Sequence, residues 1–170
     1  MGCDIHFFRE RFTSDNNYSG PRDISEDRNT RIEQIIDNSP VTKRWVAADL
    51  WELIDDDYWS CYEAYSERNY YVFSILADVR NSSFNGTGYV DPLDYPRGIP
   101  EDASSAYIYY TNKWSGDGHS HSYFTLKELL EVDWSEYDQE YIKNFLNVVE
   151  DLKSIDPDTN NVRICFFFDN

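Results

Sequence analysis

The chain opens on an alternation that fits a strand: Cys3, Ile5 and Phe7 fall on one side of an extended backbone, with Asp4, His6 and Phe8 on the other. Near the other end, Val162 to Phe168 is a strongly β-prone run after the breaker Asp156-Pro157-Asp158, which predicts the central strand of a sheet. Arg44 to Ala48, carrying Trp45 and Val46, predicts a strand returning beside the first. Helical spacing appears elsewhere. Val72, Ile75, Leu76 and Val79 share one face of a helix that Asn81-Ser82-Ser83 terminates. Thr125-Leu126-Lys127-Glu128 is a capping box, in which hydroxyl and carboxylate satisfy free amides reciprocally ahead of Leu129 and Leu130. Ser135-Glu136-Tyr137-Asp138 is a looser version, followed by Tyr141, Phe145, Val148, Val149 and Leu152 at helical offsets.

Between these elements lie two irregular stretches. Residues 13–40 are rich in Asp, Asn, Ser and Arg, with one helical fragment permitted by Ile32, Ile35 and Ile36, and read as an exposed polar insertion. Asn85 to Ala103 holds three prolines and three glycines and predicts a long ordered loop. The expected architecture is one α+β domain over residues 1–170. Its mostly antiparallel sheet contains the first and last strands, and three or four helices pack mainly on one face.

Composition narrows the function. A chain of 170 residues is long enough to bury a core without disulfide or metal staples. Lys and Arg number 15 against 32 Asp and Glu, a net charge of −17, which repels phosphate backbones and excludes an ordinary basic nucleic-acid module. No direct contact with duplex nucleic acid is expected. Aromatic residues at 17% exclude a disordered acidic tail. No apolar run is long enough for a bilayer, and Cys3, Cys61 and Cys165 lack paired short spacing, so a reducing cytoplasm is the expected compartment.

Histidine carries the main chemical signal. The three occur as Asp4-Ile5-His6 and as Asp117-Gly118-His119-Ser120-His121, each close to another possible ligand. On an extended backbone, residues two apart face one side, so Asp4 with His6 and His119 with His121 each make a two-toothed presentation. If the two segments meet, Asp4, His6, His119 and His121 form a shell suited to zinc or another first-row divalent metal, whose open position acidifies a bound water. Asp117 is the candidate catalytic base, and Asp117 or Asp169 is placed to complete the shell or orient a ligand. Arg80 with Asn81, and Arg97 within Pro96-Arg97-Gly98-Ile99-Pro100, are candidates to clamp a phosphate or carboxylate. The same residues also fit plain roles: hydrogen-bonded Asp-x-His pairs, a capping loop and surface ion pairs. No Gly-x-Ser-x-Gly elbow and no phosphate-loop lysine motif occurs.

The charge is concentrated. Asp49 to Glu67 holds seven acids and no Lys or Arg, interleaved with Trp and Tyr, and Glu131 to Asp158 holds nine acids against two lysines. Such faces, with Asp55, Asp56, Asp57, Glu136 and Asp138 as representative positions, fit either a solvated exterior or a surface that occupies the basic groove of another protein.

In its Met1 to His6 opening, Arg68-Asn69-Tyr70, Ile75 through Asn81, Pro96 through Pro100, Asp117 through Ser122 with Thr125-Leu126, and closing Phe168-Asp169-Asn170, the chain resembles small phage and prophage proteins that begin Met-Gly-Cys-Asp-Ile-His. The resemblance covers about a third of the chain. It implies a phage origin and a single site built from these polar pieces, and it brings no activity with it. The polar insertion and the Asp49 to Glu67 stretch depart from that pattern.

Three functions follow as expectations. The first is a phage-encoded, metal-dependent hydrolase of a phosphodiester or small nucleotide in the host cytoplasm. The second is a non-catalytic acidic protein that binds and inhibits a basic host protein, one handling nucleic acid or defence. The third is a binder of a small anionic ligand without turnover.

Overall fold

The computed structural model describes residues 2–13, 44–47, 65–82 and 86–170. The fold is α+β, with an antiparallel sheet that contains the first and last strands and, among the described residues, four α-helices. In chain order these are β1 (Asp4–Thr13), β2 (Arg44–Ala47), α1 (Tyr70–Ala77), α2 (Ser105–Lys113), β3 (His119–Thr125), α3 (Leu126–Glu131), α4 (Gln139–Leu152) and β4 (Val162–Asp169). The sheet order is β2-β1-β4-β3, so the two chain ends supply the two inner strands. Their register runs from Asp4 opposite Asp169 to Arg11 opposite Val162. The Asp49 to Glu67 stretch lies outside the described residues up to position 64, as do residues 14–40 of the polar insertion.

β4 has no polar face to spare because both of its faces are covered. Seven of its eight residues are buried, which is why the sequence runs apolar without strict alternation. One face of the sheet presents Ile5, Phe7, Ile164, Phe166 and Phe168 to α1, α3 and α4, whose Phe73, Leu76, Leu129, Ile142 and Phe145 close the core. Each such fully buried side chain contributes roughly 1.5–3 kcal/mol of transfer free energy. Helix α1 starts where Asn69 Oδ1 accepts the Val72 amide at 3.2 Å and ends at Asp78, whose φ of 57° is left-handed. It therefore stops before Val79, two residues short of the expected apolar stripe. The Thr125–Glu128 capping box forms as expected at the start of α3.

The opposite face is covered by α2, an element the apolar spacing does not predict. Its sequence, Ser-Ala-Tyr-Ile-Tyr-Tyr-Thr-Asn-Lys, has little aliphatic periodicity, and tyrosine does the packing. Tyr107 is fully buried, its ring edge-on to Phe8 at 5.3 Å, and its hydroxyl donates to the Phe166 carbonyl at 2.9 Å. Beneath the start of α2 lies a buried ionic cluster. Arg163 Nε donates to Glu10 Oε2 at 2.6 Å and Nη1 to Asp102 at 2.8 Å, while Glu10 Oε1 accepts the Ser104 amide at 2.9 Å. Both Glu10 and Arg163 are buried, so the pair ties the loop before α2 to the sheet through desolvated charges.

Candidate functional site at the histidine end of the sheet

The start of β1 and the end of β4 meet because the two strands are antiparallel neighbours, and this brings His6 to Asp169. His6 Nε2 lies 3.3 Å from Asp169 Oδ2, and Asp169 Oδ1 accepts the Asp4 amide at 3.2 Å. An ionised carboxylate only accepts, so it fixes the ring proton on Nε2. The imidazole stacks on Phe167 with centroids 4.5 Å apart and leans on Trp114 at 4.6 Å, which leaves it 8% exposed.

Two arginines border this pair. Arg68 holds Asp4 with both prongs, Nε to Oδ1 at 2.7 Å and Nη2 to Oδ2 at 2.5 Å. That hydrogen bonding holds the Asp4 carboxyl below the usual carboxylate range, against a smaller opposing effect of burial. Arg80 Nη2 donates to Asn170 Oδ1 at 2.9 Å. Burial pushes the Cys3 thiol up, with Arg80 opposing, so Cys3 behaves as a small core residue.

Arg80 itself is left-handed, with φ of 54°, between Asp78 at 57° and Ser82 at 67°. An arginine there costs about 1 kcal/mol or more and persists because its neighbour clamps the turn. Asn81 Nδ2 donates to Asp78 Oδ1 and to the Val90 carbonyl, both at 2.7 Å, while its Oδ1 accepts the Val90 and Ser82 amides at 3.0 and 2.9 Å. That geometry gives Asn81 the role of shaping the turn that presents Arg80.

β3 brings the other two histidines, by a route that differs from the extended pattern expected for them. The pairing shifts between His119 opposite Phe168 and Ser122 opposite Phe166, and Ser120 takes φ of 51°. This bulge breaks the two-residue alternation. The His119 ring stacks over Phe168 at 6.1 Å, and the His121 ring meets Phe167 edge-on at 5.1 Å, so the two rings lie against consecutive residues of β4. His119 Nδ1 is 2.9 Å from Ser120 Oγ. His119 Nε2 and His121 Nδ1 are buried and have no hydrogen-bond partner among the described residues. Burial first, and the neighbouring His119 second, hold the His121 imidazole below its ordinary value.

The loop carrying Arg97 closes over this edge. Gly98 N–H donates to the His121 carbonyl at 2.8 Å, and the Arg97 amide donates to Ser122 Oγ at 3.2 Å. The Arg97 guanidinium bonds Asp94 and Glu128 at 2.9 Å each and the Tyr123 carbonyl at 3.1 Å, and lies 4.3 Å from the Phe124 ring centroid. The arrangement makes Arg97 a clasp between loop, β3 and α3.

The structure thus gathers His6, Asp4, Asp169, Arg80, His119 and His121 at one end of the sheet, with Arg68 added. Nothing in the spacing marks Arg68, whose partner comes from 64 positions away. The four-residue shell of Asp4, His6, His119 and His121 separates into parts: Asp4 pairs with Arg68, His6 with Asp169, and the β3 imidazoles keep their buried nitrogens. Among the described residues, no group of three or more His, Cys, Asp or Glu side chains is arranged to hold a metal ion. Asp117 is exposed in the turn before β3, its amide bonded to the Trp114 carbonyl at 2.9 Å. Glu136 and Asp138 are exposed, and Asp138 caps α4 through the Glu140 amide at 3.0 Å. Asp55, Asp56 and Asp57 lie outside the described residues.

Fold and site together define an α+β domain whose antiparallel sheet carries a histidine, carboxylate and arginine cluster at one end. No protein-family model matches the chain, and neither a curated protein nor a solved structure matches it. Among the described residues, no helix is long and apolar enough to cross a membrane.

Proposed function

We propose that the protein is a hydrolase of a small phosphate-bearing substrate, a phosphodiester or nucleotide, acting at the histidine end of the sheet. The observation that carries this reading is the His6–Asp169 pair at 3.3 Å, set beside the Arg80 turn. With its Nε2 proton held toward Asp169, His6 is the group that takes or gives the catalytic proton, and Asp169 stabilises the imidazolium that forms. Arg80 supplies charge for a phosphate, and the strained turn fixes its direction before the substrate arrives. The net charge of −17 favours a small substrate over a long polynucleotide. The phage resemblance supports a substrate met in an infected host's cytoplasm.

The test is incubation of the purified protein with a panel of mononucleotides, cyclic nucleotides, dinucleotides and a chromogenic phosphodiester. Turnover should fall by about a hundredfold or more in His6→Gln, the usual range for losing a general acid or base. A ligand that binds and returns intact would replace the hydrolase with a small-ligand binder, and neither binding nor turnover across the panel would overturn both.

A second reading draws on the exposed Glu136 and Asp138 beside Tyr141, which is 41% exposed. Here the acidic exterior captures a basic host protein. Charge reversal at Glu136 and Asp138 should then weaken a salt-sensitive complex, and unchanged capture counts against it.

A further inference from the structure

We propose that Tyr89 and Tyr95, with Asp91 between them in sequence and Glu136 reached through Tyr137, form a docking surface for an extended arginine-rich segment of a partner protein. The proposal rests on the second reading above, in which the acidic exterior captures a basic protein, and gives that capture a place and a chemistry. The two tyrosines are 60% and 64% exposed, the most exposed large hydrophobic side chains among the described residues. Both belong to one loop. Tyrosine supplies large, stiff contact area at small entropic cost and is enriched at protein interfaces.

The loop that carries them is fixed from beneath. Asn81 holds Val90 by both its carbonyl and its amide, at 2.7 and 3.0 Å, and the Leu93 amide donates to the Ile75 carbonyl at 2.7 Å. Val90 and Leu93 pack on the core, and the Arg97 clasp secures the far end. A partner therefore meets rings on a backbone already in place, which lowers the cost of binding. The charge around them has one sign. Asp91 is exposed, and its carbonyl accepts the Tyr137 hydroxyl at 3.4 Å, which joins the loop to the segment where Glu136 is exposed. Partial desolvation, then Tyr95, Asp78 and Asp91, hold the Tyr89 hydroxyl above its ordinary value, and burial, then Glu136 and Asp91, do the same for Tyr137. Asp91 thus acts on both rings and links the two acidic segments. Neither residues 81–96 nor residues 128–142 include a Lys or Arg, and the Arg97 guanidinium is engaged by Asp94 and Glu128. Such a surface repels phosphates and attracts cations. Arginine fits it better than lysine, because a planar guanidinium stacks on a tyrosine face while offering a carboxylate two parallel N–H groups.

The full chain is titrated, by fluorescence anisotropy at rising salt, against a labelled unstructured peptide of alternating arginine and glycine and against its lysine counterpart. The arginine peptide should bind at least about threefold more tightly than the lysine one and weaken as salt is added. Tyr89→Ala combined with Tyr95→Ala should weaken it about fivefold or more, and Asp91→Asn should weaken it as well. Tyr89→Phe with Tyr95→Phe should keep the affinity, because the ring face and not the hydroxyl carries the contact. Should the alanine variant fail to fold, the wild type still decides: the arginine peptide should shift the ring resonances of Tyr89 and Tyr95. Equal affinity for the two peptides, binding that survives the loss of both rings, or unshifted rings would overturn the proposal and leave the broader acidic capture standing. No binding of either peptide would remove both.

Discussion

His6 and Asp169 stand 163 positions apart in sequence and 3.3 Å apart in space, one from the first strand and one from the last. The contact exists because β1 and β4 are adjacent and antiparallel, with Asp4 opposite Asp169 and His6 opposite Phe167. Removing it should therefore be felt in stability as well as in chemistry. Asp169→Asn is expected to cost about 1.5–3 kcal/mol, the range for a hydrogen bond to a charged group, read as a lower urea midpoint with an unchanged slope.

The buried Glu10–Arg163 pair should show the asymmetry of desolvated charges. Glu10→Ala leaves the Arg163 guanidinium facing an apolar gap and should cost about 3–5 kcal/mol. Combining Glu10→Met with Arg163→Met removes both charges and should recover much of that loss. A double variant no more stable than Glu10→Ala would mean that the tie from Arg163 to Asp102, rather than the unpaired charge, dominates.

Acid should loosen the clasp at α3. Burial alone would raise the Glu128 carboxyl, but hydrogen bonds from Thr125 and Arg97 outweigh it and hold the group below the usual carboxylate range. The folded pKa is thus depressed relative to the unfolded value of about 4.3. The stabilisation is present in full above that pH and is lost as pH falls through the depressed folded value. Glu128→Gln should flatten the acid limb of a plot of urea midpoint against pH, and an unaltered limb would show that the capping box contributes nothing through its charge.

His121 should add a separate limb nearer neutrality. Burial and His119 depress its folded pKa, so the unfolded chain binds the proton first as pH falls below about 6.5. Stability is full above that value and declines as pH drops from there through the folded pKa. His121→Phe should remove this decline in urea midpoints taken between pH 5 and about 8, the range over which imidazoles titrate.

Gly118→Ala tests how closely the bulge is packed. Its Cβ would stand 3.1 Å from the Trp114 carbonyl and 3.3 Å from Phe167 Cδ2, so these neighbours must give by a few tenths of an ångström. A loss of about 1–3 kcal/mol in the urea midpoint analysis is expected, as for other overpacked positions.

Much of this architecture was written in local pattern. The alternation from Cys3 to Phe8, the apolar run from Val162 to Phe168 and the capping box at Thr125 each specify their element, because periodicity and capping depend on residues a few positions apart. Helix α2 escaped that logic, since its packing rests on tyrosines such as Tyr107 whose partner, the Phe166 carbonyl, lies 59 residues away. The histidines were legible as a set, and Asp169 as a group able to orient a ligand. What each contacts was not, because contact depends on which strands are neighbours and on a one-residue bulge. Strand order paired His6 with Asp169, the segment leading into α1 brought Arg68 to Asp4, and the left-handed Ser120 parted His119 from His121 along β4. Sequence determined which side chains carry chemistry; tertiary structure decided which meet, because strand pairing and burial join residues that no local spacing relates.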